Sequence, residues 1–315
     1  MSAGQVNYWQ NTPKFVVSMF KSFFGDKATA DNQFGFNYLP KLPKGGMDQL
    51  RYIDQMYDGK VNGFFCQGMN PIASYPDSQK VIKALSKLKY LVIFDPLITD
   101  TSEFWMNHGE FNDVKSEEIQ TEVFRLPTTC FAEEDGSIAN SGRWLQWHWK
   151  AADARAEAKP DVDILSELRA ELIHLYEKEG GKAPTDTLLA MSWNYANPLE
   201  PKSEEIAKEN NGYALEDLKD ADGNIIVKKG ELLSSFAQMR DDGTTSGACW
   251  IYTGQWTPKG NQMANRDNSD PSGLGNTLGW AFAWPMNRRI VYNRASADIS
   301  GKPWNPQRQL VKWNG

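Results

Sequence analysis

Residues that commonly bind metals or act as nucleophiles are scarce in this chain. Its 315 residues include three histidines and three cysteines. Cys66, Cys130 and Cys249 stand far apart, and no Cys-x-x-Cys pair occurs, which excludes a sequence-local zinc or iron–sulfur site. Three ordinary thiols, buried or half-buried, are what that spacing supports. His108, His148 and His174 form no His-Glu-x-x-His, and the chain lacks Gly-x-Ser-x-Gly, a Walker lysine loop and Gly-x-Gly-x-x-Gly. No apolar run approaches the roughly 20 residues that span a bilayer, and mean hydropathy is −0.57, so no transmembrane segment is expected. Basic excess is missing too. A net charge of −6 argues against a general nucleic-acid binder, whose footprint is basic. The first residues carry neither a basic n-region nor an apolar h-region, so no signal peptide is expected, and they read like the interior of a longer protein.

What the chain does have is aromatic mass, with 12 Trp, 11 Tyr and 15 Phe, and enough length for one large domain or two smaller ones. Phe15, Val16, Met19, Phe20 and Phe23 recur at helical spacing. A loop is expected over 25–46, then a helix over 47–57 with Met47, Leu50, Ile53 and Met56 or Tyr57 on one face. The best-patterned stretch follows. Residues 61–66 read as a strand and 77–88 as a helix striped by Val81, Ile82, Leu85 and Leu88. Residues 90–94 read as a second strand, apolar throughout as if buried on both faces. That order predicts a right-handed βαβ unit with parallel strands. A helix from Thr99 to Trp105, a strand over 120–126 and a long loop over 126–137 are expected next. The spacing of Leu165, Leu168, Leu172 and Leu175 predicts an amphipathic helix over 162–176. Residues 201–230 read as a charged surface excursion with a turn at Asp222-Gly-Asn224. From Ser234 on there is little periodicity and dense tryptophan, as in an irregular aromatic-rich segment.

Open parallel sheets bind ligands outside the carboxyl ends of their strands. Two loops meet that description, 67–74 with Gly68 and Asn70, and 95–99 with Asp95. Gly68 allows close backbone approach, and Asn70 both donates and accepts. An acid directly after a strand accepts two hydrogen bonds from a ribose diol or from the guanine amino and ring N–H. Plain turns at Asn70-Pro71 and Asp95-Pro96 are the competing reading. Glu133-Glu134-Asp135 reads as solvated carboxylates rather than an acid–base pair. The lysines of the 77–89 stretch read as a solvated face, and the tryptophans as packing or, alternatively, a sugar-stacking platform.

Several blocks then match one family in order. Phe65-Cys-Gln-Gly-Met-Asn-Pro-Ile-Ala-Ser74 and Val92-Ile-Phe-Asp-Pro-Leu-Ile-Thr-Asp-Thr-Ser102 resemble the third domain of the molybdopterin oxidoreductases. Leu126-Pro-Thr-Thr-Cys-Phe-Ala-Glu-Glu-Asp-Gly-Ser-Ile-Ala-Asn-Ser-Gly-Arg-Trp144 resembles the next block of that family. Asn7-Tyr-Trp-Gln-Asn-Thr-Pro-Lys-Phe15, Ser141-Gly-Arg-Trp-Leu-Gln-Trp-His-Trp149 and Arg288-Arg-Ile-Val-Tyr-Asn-Arg-Ala-Ser-Ala-Asp298 look like the major subunits of membrane-bound, periplasm-facing formate dehydrogenases.

The resemblance implies an α/β fold. A pterin-nucleotide-binding domain with a parallel sheet would occupy 1–200, and a polar excursion with a Trp-rich extension 201–315. It implies an internal piece of a subunit about three times as long, in which formate is oxidised to carbon dioxide. The cofactor implied is molybdopterin guanine dinucleotide carrying molybdenum or tungsten; the [4Fe–4S] cluster, the selenocysteine or cysteine metal ligand and the catalytic residues would lie in the missing part. Cofactor contacts carried over are Gly68, Asn70, Asp95, Thr99, Glu134 and Asp163, with no metal ligand in this chain. Partners implied are the remainder of the subunit, an iron–sulfur subunit and a membrane cytochrome, at the periplasmic face of the inner membrane. The isolated chain is expected to be inactive. The rival reading is a non-catalytic ligand-binding protein with an aromatic recognition surface.

Overall fold

A computed structural model describes residues 12–39, 48–180, 187–270, 279–284 and 302–308. The chain divides into two compact units. One is formed by Pro40–Glu134 and Lys150–Glu171, the other by Met1–Leu39, Asp135–Trp149 and Leu172–Gly315.

The first unit is built on a three-stranded parallel sheet, β1 (Gly63–Gln67), β2 (Tyr90–Asp95) and β3 (Glu122–Pro127), in the order β1-β2-β3. Gly63 pairs with Tyr90 and Gln67 with Phe94; Tyr90 pairs with Glu122 and Asp95 with Pro127. The expected βαβ unit is therefore present, with its helix at Ser78–Leu85. That helix begins where the Asp77 side chain accepts the Lys80 N–H at 3.1 Å, an N-cap that satisfies an otherwise unpaired donor. A helix over Gln49–Tyr57, capped the same way by Asp48, packs beside it. Ile53, Met56, Val81, Ile82, Leu85 and Leu88 close over Cys66, Leu91 and Ile93. Leu50, expected on that apolar face, is exposed, and Met47 lies outside the described residues. The apolar run of β2 suggested burial on both faces. The second face is covered only in part: Phe94 is buried and Val92 half-buried, whereas Tyr90 is exposed, and so are Phe65 and Phe124 on the flanking strands, because both packed helices cover the face of Cys66, Leu91 and Ile93. The helix expected at Thr99–Trp105 is a single 3-10 turn, Asp100–Glu103.

In the other unit, the helix Pro13–Phe24 buries Phe15, Val16, Met19, Phe20 and Phe24. The stretch after it, expected as a loop, winds into 3-10 turns at Gly25–Lys27 and Ala30–Tyr38. An antiparallel sheet joins Gly136–Ala139, Trp144–His148 and Ala281–Phe282. The charged segment after residue 200 is not a bare surface excursion. It folds into a helix, Ser203–Asn211, that buries Ala207 and Asn211. A small hairpin follows, Leu218–Lys219 against Ile225–Val227, around the expected turn, where the Asp220 side chain accepts from Asp222 and Asn224 N–H groups at 2.9 Å. The charges that dominate its composition face water, while Ala207 and Asn211, one turn apart, go inside. Among the described residues from 234 on, the irregularity is as expected, and one group of rings packs inward while Trp304 is exposed. Phe15 stacks on Trp250 with centroids 4.2 Å apart, and Phe236 and Trp284 close around them. Among the described residues no helix is long and apolar enough to cross a membrane.

Candidate functional site at the carboxyl edge of the parallel sheet

The chain leaves β1 through Gly68, whose φ of +58° is a left-handed conformation that glycine adopts without strain. Its N–H donates to the Phe94 carbonyl at 2.8 Å, extending the β1–β2 ladder by one residue. A Cβ there would meet nothing within 4 Å, so the glycine serves the turn and leaves open space above the sheet edge.

Asn70 comes next, and both polar atoms of its side chain are engaged. Oδ1 accepts from Thr101 Oγ1 at 2.7 Å and Thr101 N at 3.3 Å, and Nδ2 donates to Asp100 Oδ2 at 3.0 Å. Asn70 thus ties the loop after β1 to the turn after β2. Thr99 caps that turn: its N–H donates to Ser102 Oγ at 2.9 Å, and its own Oγ1 accepts the Ser102 N–H at 3.4 Å. Both residues stand at the strand ends as expected, and both work as braces.

Asp95 differs. It ends β2 half-buried, and one oxygen accepts the Leu97 N–H at 2.9 Å. The other oxygen takes no hydrogen bond among the described residues. Asp95 lines a cavity of about 350 Å³ together with Ile93, Pro96, Leu97, Ile98 and Leu126. Arg125, also on the wall, is paired with Glu103 at 3.6 Å. A carboxylate with a spare oxygen on mostly apolar walls suits a neutral group offering N–H or O–H donors. Behind it, burial and then the negative charge of Asp95 push the Cys66 thiol up to about 11. Its Sγ–H donates to the Met69 carbonyl at 3.1 Å, so this cysteine is a packed, unreactive thiol at neutral pH.

Glu134 lies on the loop beyond β3, where Oε2 accepts from Thr129 Oγ1 at 2.8 Å; its neighbour Glu133 holds the Cys130 N–H at 2.9 Å. Residues 128 and 129 run beside Lys159, which bridges Thr128 and whose carbonyl accepts the Thr129 N–H at 3.1 Å. The Glu134 loop and the start of the helix Asp161–Glu179 are therefore neighbours. Asp163 lies in the first turn of that helix, yet it is Asp161 that reaches the sheet edge, accepting from Gln67 Nε2 at 2.5 Å. Asp161, Gln67 and Thr101 escaped sequence reasoning. The Pro160-Asp161 helix start is a visible signal; the partner of a cap residue thirty positions away is not. Among the described residues no cluster of three or more His, Cys, Asp or Glu side chains is placed to hold a metal ion.

The architecture defines a mixed α/β protein whose parallel sheet presents an acid at its carboxyl edge. No protein-family model matches the chain. Its sequence, however, is similar from end to end to the major subunits of formate dehydrogenases. It is 66% identical over 313 residues to the nitrate-inducible formate dehydrogenase major subunit of Escherichia coli K12, covering 99% of this chain and 31% of that protein. Identity is 60% over 311 residues to the formate dehydrogenase major subunit of Haemophilus influenzae, covering 99% of this chain and 30% of that protein. It is 40% over 314 residues to formate dehydrogenase 2 subunit alpha (cytochrome c-553) of Nitratidesulfovibrio vulgaris, covering 98% of this chain and again 30% of the relative. The resemblance read from the motifs therefore holds along the whole chain, which spans less than a third of the length of these relatives.

Proposed function

We propose that these residues are the part of a formate dehydrogenase major subunit that binds the guanine nucleotide end of a molybdopterin guanine dinucleotide, and that the whole subunit oxidises formate to carbon dioxide. The observation that carries the reading is the unbroken similarity to three formate dehydrogenase subunits over at least 98% of the chain. The donor chemistry fits the nucleotide. Guanine and ribose present N–H and O–H donors, and Asp95 has one oxygen uncommitted at the edge of a cavity with both apolar and polar walls. Asp95 would hold the base or the ribose. Gly68 keeps the approach open, Asn70 and Thr99 brace the two loops, and Glu134 and Asp163 would flank the pocket from β3 and the following helix. When bound, the cofactor supplies the redox chemistry at its metal, molybdenum or tungsten. The residues of this chain orient its nucleotide and perform no chemical step, so the chain alone is expected to be inactive.

The division into a nucleotide-binding part, 1–200, and an extension, 201–315, belongs to the same reading. So do an iron–sulfur cluster elsewhere in the subunit, iron–sulfur and membrane cytochrome partners, and a place at the periplasmic face of the membrane. The rival, an aromatic recognition surface, is not favoured, because Trp147 and Trp250 are buried and Trp256 and Trp284 pack against them. The test is to purify the full-length subunit, release its nucleotide by acid hydrolysis and assay formate-dependent dye reduction. GMP in near-stoichiometric yield with dye reduction is expected; an active subunit without guanine would overturn the nucleotide reading.

A further inference from the structure

Asp95 and Arg125 share one face of the parallel sheet. In the β2–β3 ladder Ile93 pairs with Arg125, and Asp95 with Pro127. Side chains alternate along a strand, so Asp95 lies on the face of Ile93, and Arg125 on that same face of the adjacent strand. Both residues line the cavity of about 350 Å³. Opposite charges on neighbouring strands stabilise a sheet when they pair. Here no ion pair joins the two among the described residues. Asp95 turns to the Leu97 N–H at 2.9 Å, and Arg125 to Glu103 at 3.6 Å, which is beyond hydrogen-bond length. The guanidinium therefore makes no hydrogen bond among the described residues, and its N–H donors are uncommitted. The Arg125 side chain is 43% exposed and that of Glu103 26%, and an ion pair so open to water holds weakly.

We propose that Arg125 sets the base specificity of this cavity: its fork donates to O6 and N7 of guanine, while Asp95 accepts from the ring N–H and the exocyclic amino group. The inference rests on the guanine-nucleotide reading above, and it assigns the base, rather than the ribose, to Asp95. Along its edge guanine carries the amino donor, the ring N–H, O6 and N7 in that order. An acid and an arginine offset by two residues on adjacent strands offer the complementary order, acceptor and then donors. Arginine bidentate to O6 and N7 is the commonest specific contact to guanine. Adenine fails the same test, because it places an amino donor where guanine has O6. A phosphate is the other group that an arginine fork takes. The Asp95 carboxylate on the same wall repels a phosphate and attracts the guanine donors, so the geometry favours the base. Binding draws the guanidinium away from Glu103, which that long and partly exposed pair permits.

The test is made on the full-length subunit, produced at limiting cofactor with Arg125→Met, Arg125→Lys or Glu103→Gln. Guanine released by acid is measured per mole of folded, monodisperse protein. Arg125→Met and Arg125→Lys are each expected to retain about tenfold less guanine than the unsubstituted subunit, because lysine keeps the charge and loses the fork. Glu103→Gln is expected to retain it in full. Unchanged guanine in Arg125→Met overturns the proposal. Unchanged guanine in Arg125→Lys overturns it too, and would assign the arginine to a phosphate. Equal losses in Glu103→Gln and Arg125→Met would make the ion pair a structural one and also overturn it. Should Arg125→Met fail to fold, Arg125→Lys against Glu103→Gln carries the comparison. The two readings fail differently. An unsubstituted subunit without guanine sinks the nucleotide reading, whereas guanine present there and undiminished in the Arg125 variants sinks the arginine assignment alone.

Discussion

Asn70 Oδ1 accepts a 2.7 Å hydrogen bond from Thr101 Oγ1, and through it the loop after β1 is fastened to the turn after β2. Thr101 is fully buried, and its oxygen also accepts the Ile72 N–H at 3.2 Å. The two strand-end loops therefore hold one shape, and the Asp95 carboxylate stands beside a fixed frame.

Thr101→Val keeps the volume and removes both roles of the hydroxyl. A buried N–H and a side-chain carbonyl lose a partner, which costs roughly 1–3 kcal/mol. Urea unfolding followed by amide exchange in β1 and β2 is expected to show that loss. A change below about 0.5 kcal/mol would mean that Asn70 and Thr101 are not a brace.

Asp95→Ala in the full-length subunit is expected to lower guanine content at limiting cofactor by about tenfold or more, since one charge-assisted hydrogen bond contributes roughly 1.5–3 kcal/mol. Glu134→Ala is expected to cost well under about 1 kcal/mol, because its carboxylate already serves Thr129 and Glu133 stands beside it. Guanine retained in the Asp95 variant and lost in the Glu134 variant would move the site to the β3 loop.

Asn211 is fully buried and fully bonded. Oδ1 accepts from Gly254 N at 2.7 Å and Trp256 N at 3.2 Å, and Nδ2 donates to the Leu233 carbonyl at 2.8 Å. Asn211→Ala orphans all three groups, and a loss of roughly 2–4 kcal/mol is expected in chemical unfolding. A near-neutral result would require water to replace the amide.

Cys66 is expected to resist alkylation at neutral pH and to react only as pH approaches about 11, where its buried thiol ionises. The same shift sets a sign for stability. The native state holds the thiol proton more tightly than the unfolded chain, whose thiol has the ordinary value of 9.0. The contribution is therefore fully present below about pH 9 and is lost as pH rises through about 11. Iodoacetamide labelling across pH 7–11 measures the ionisation. Rapid labelling of Cys66 at pH 8 would contradict its burial beside Asp95.

The βαβ unit was legible because its signal is local. Val81, Ile82 and Leu85 recur at the helical period between two short apolar runs, and loops at the carboxyl ends of parallel strands are where ligands bind. The helix within 201–230 was not, since Ala207 and Asn211 are a small residue and a polar one, and their burial follows from partners at Leu233, Gly254 and Gln255. The roles of Asn70 and Thr99 were legible only by position. That they brace loops depends on Ser102 and on Thr101, which no periodicity links to Asn70.

By itself the sequence determined the parallel βαβ order, the acid after the second strand, the aromatic packing of the carboxyl-terminal half and the likeness to formate dehydrogenase subunits, because each is written in residue type and spacing along the chain. Tertiary structure alone decided which face of each element is covered. Leu165, Leu168, Leu172 and Leu175 carry the strongest apolar stripe of their helix and are exposed, whereas Ser166 beside them is buried. Periodicity specifies that a face is apolar. Whether that face is buried depends on what stands opposite, and that is a property of residues far away in the chain.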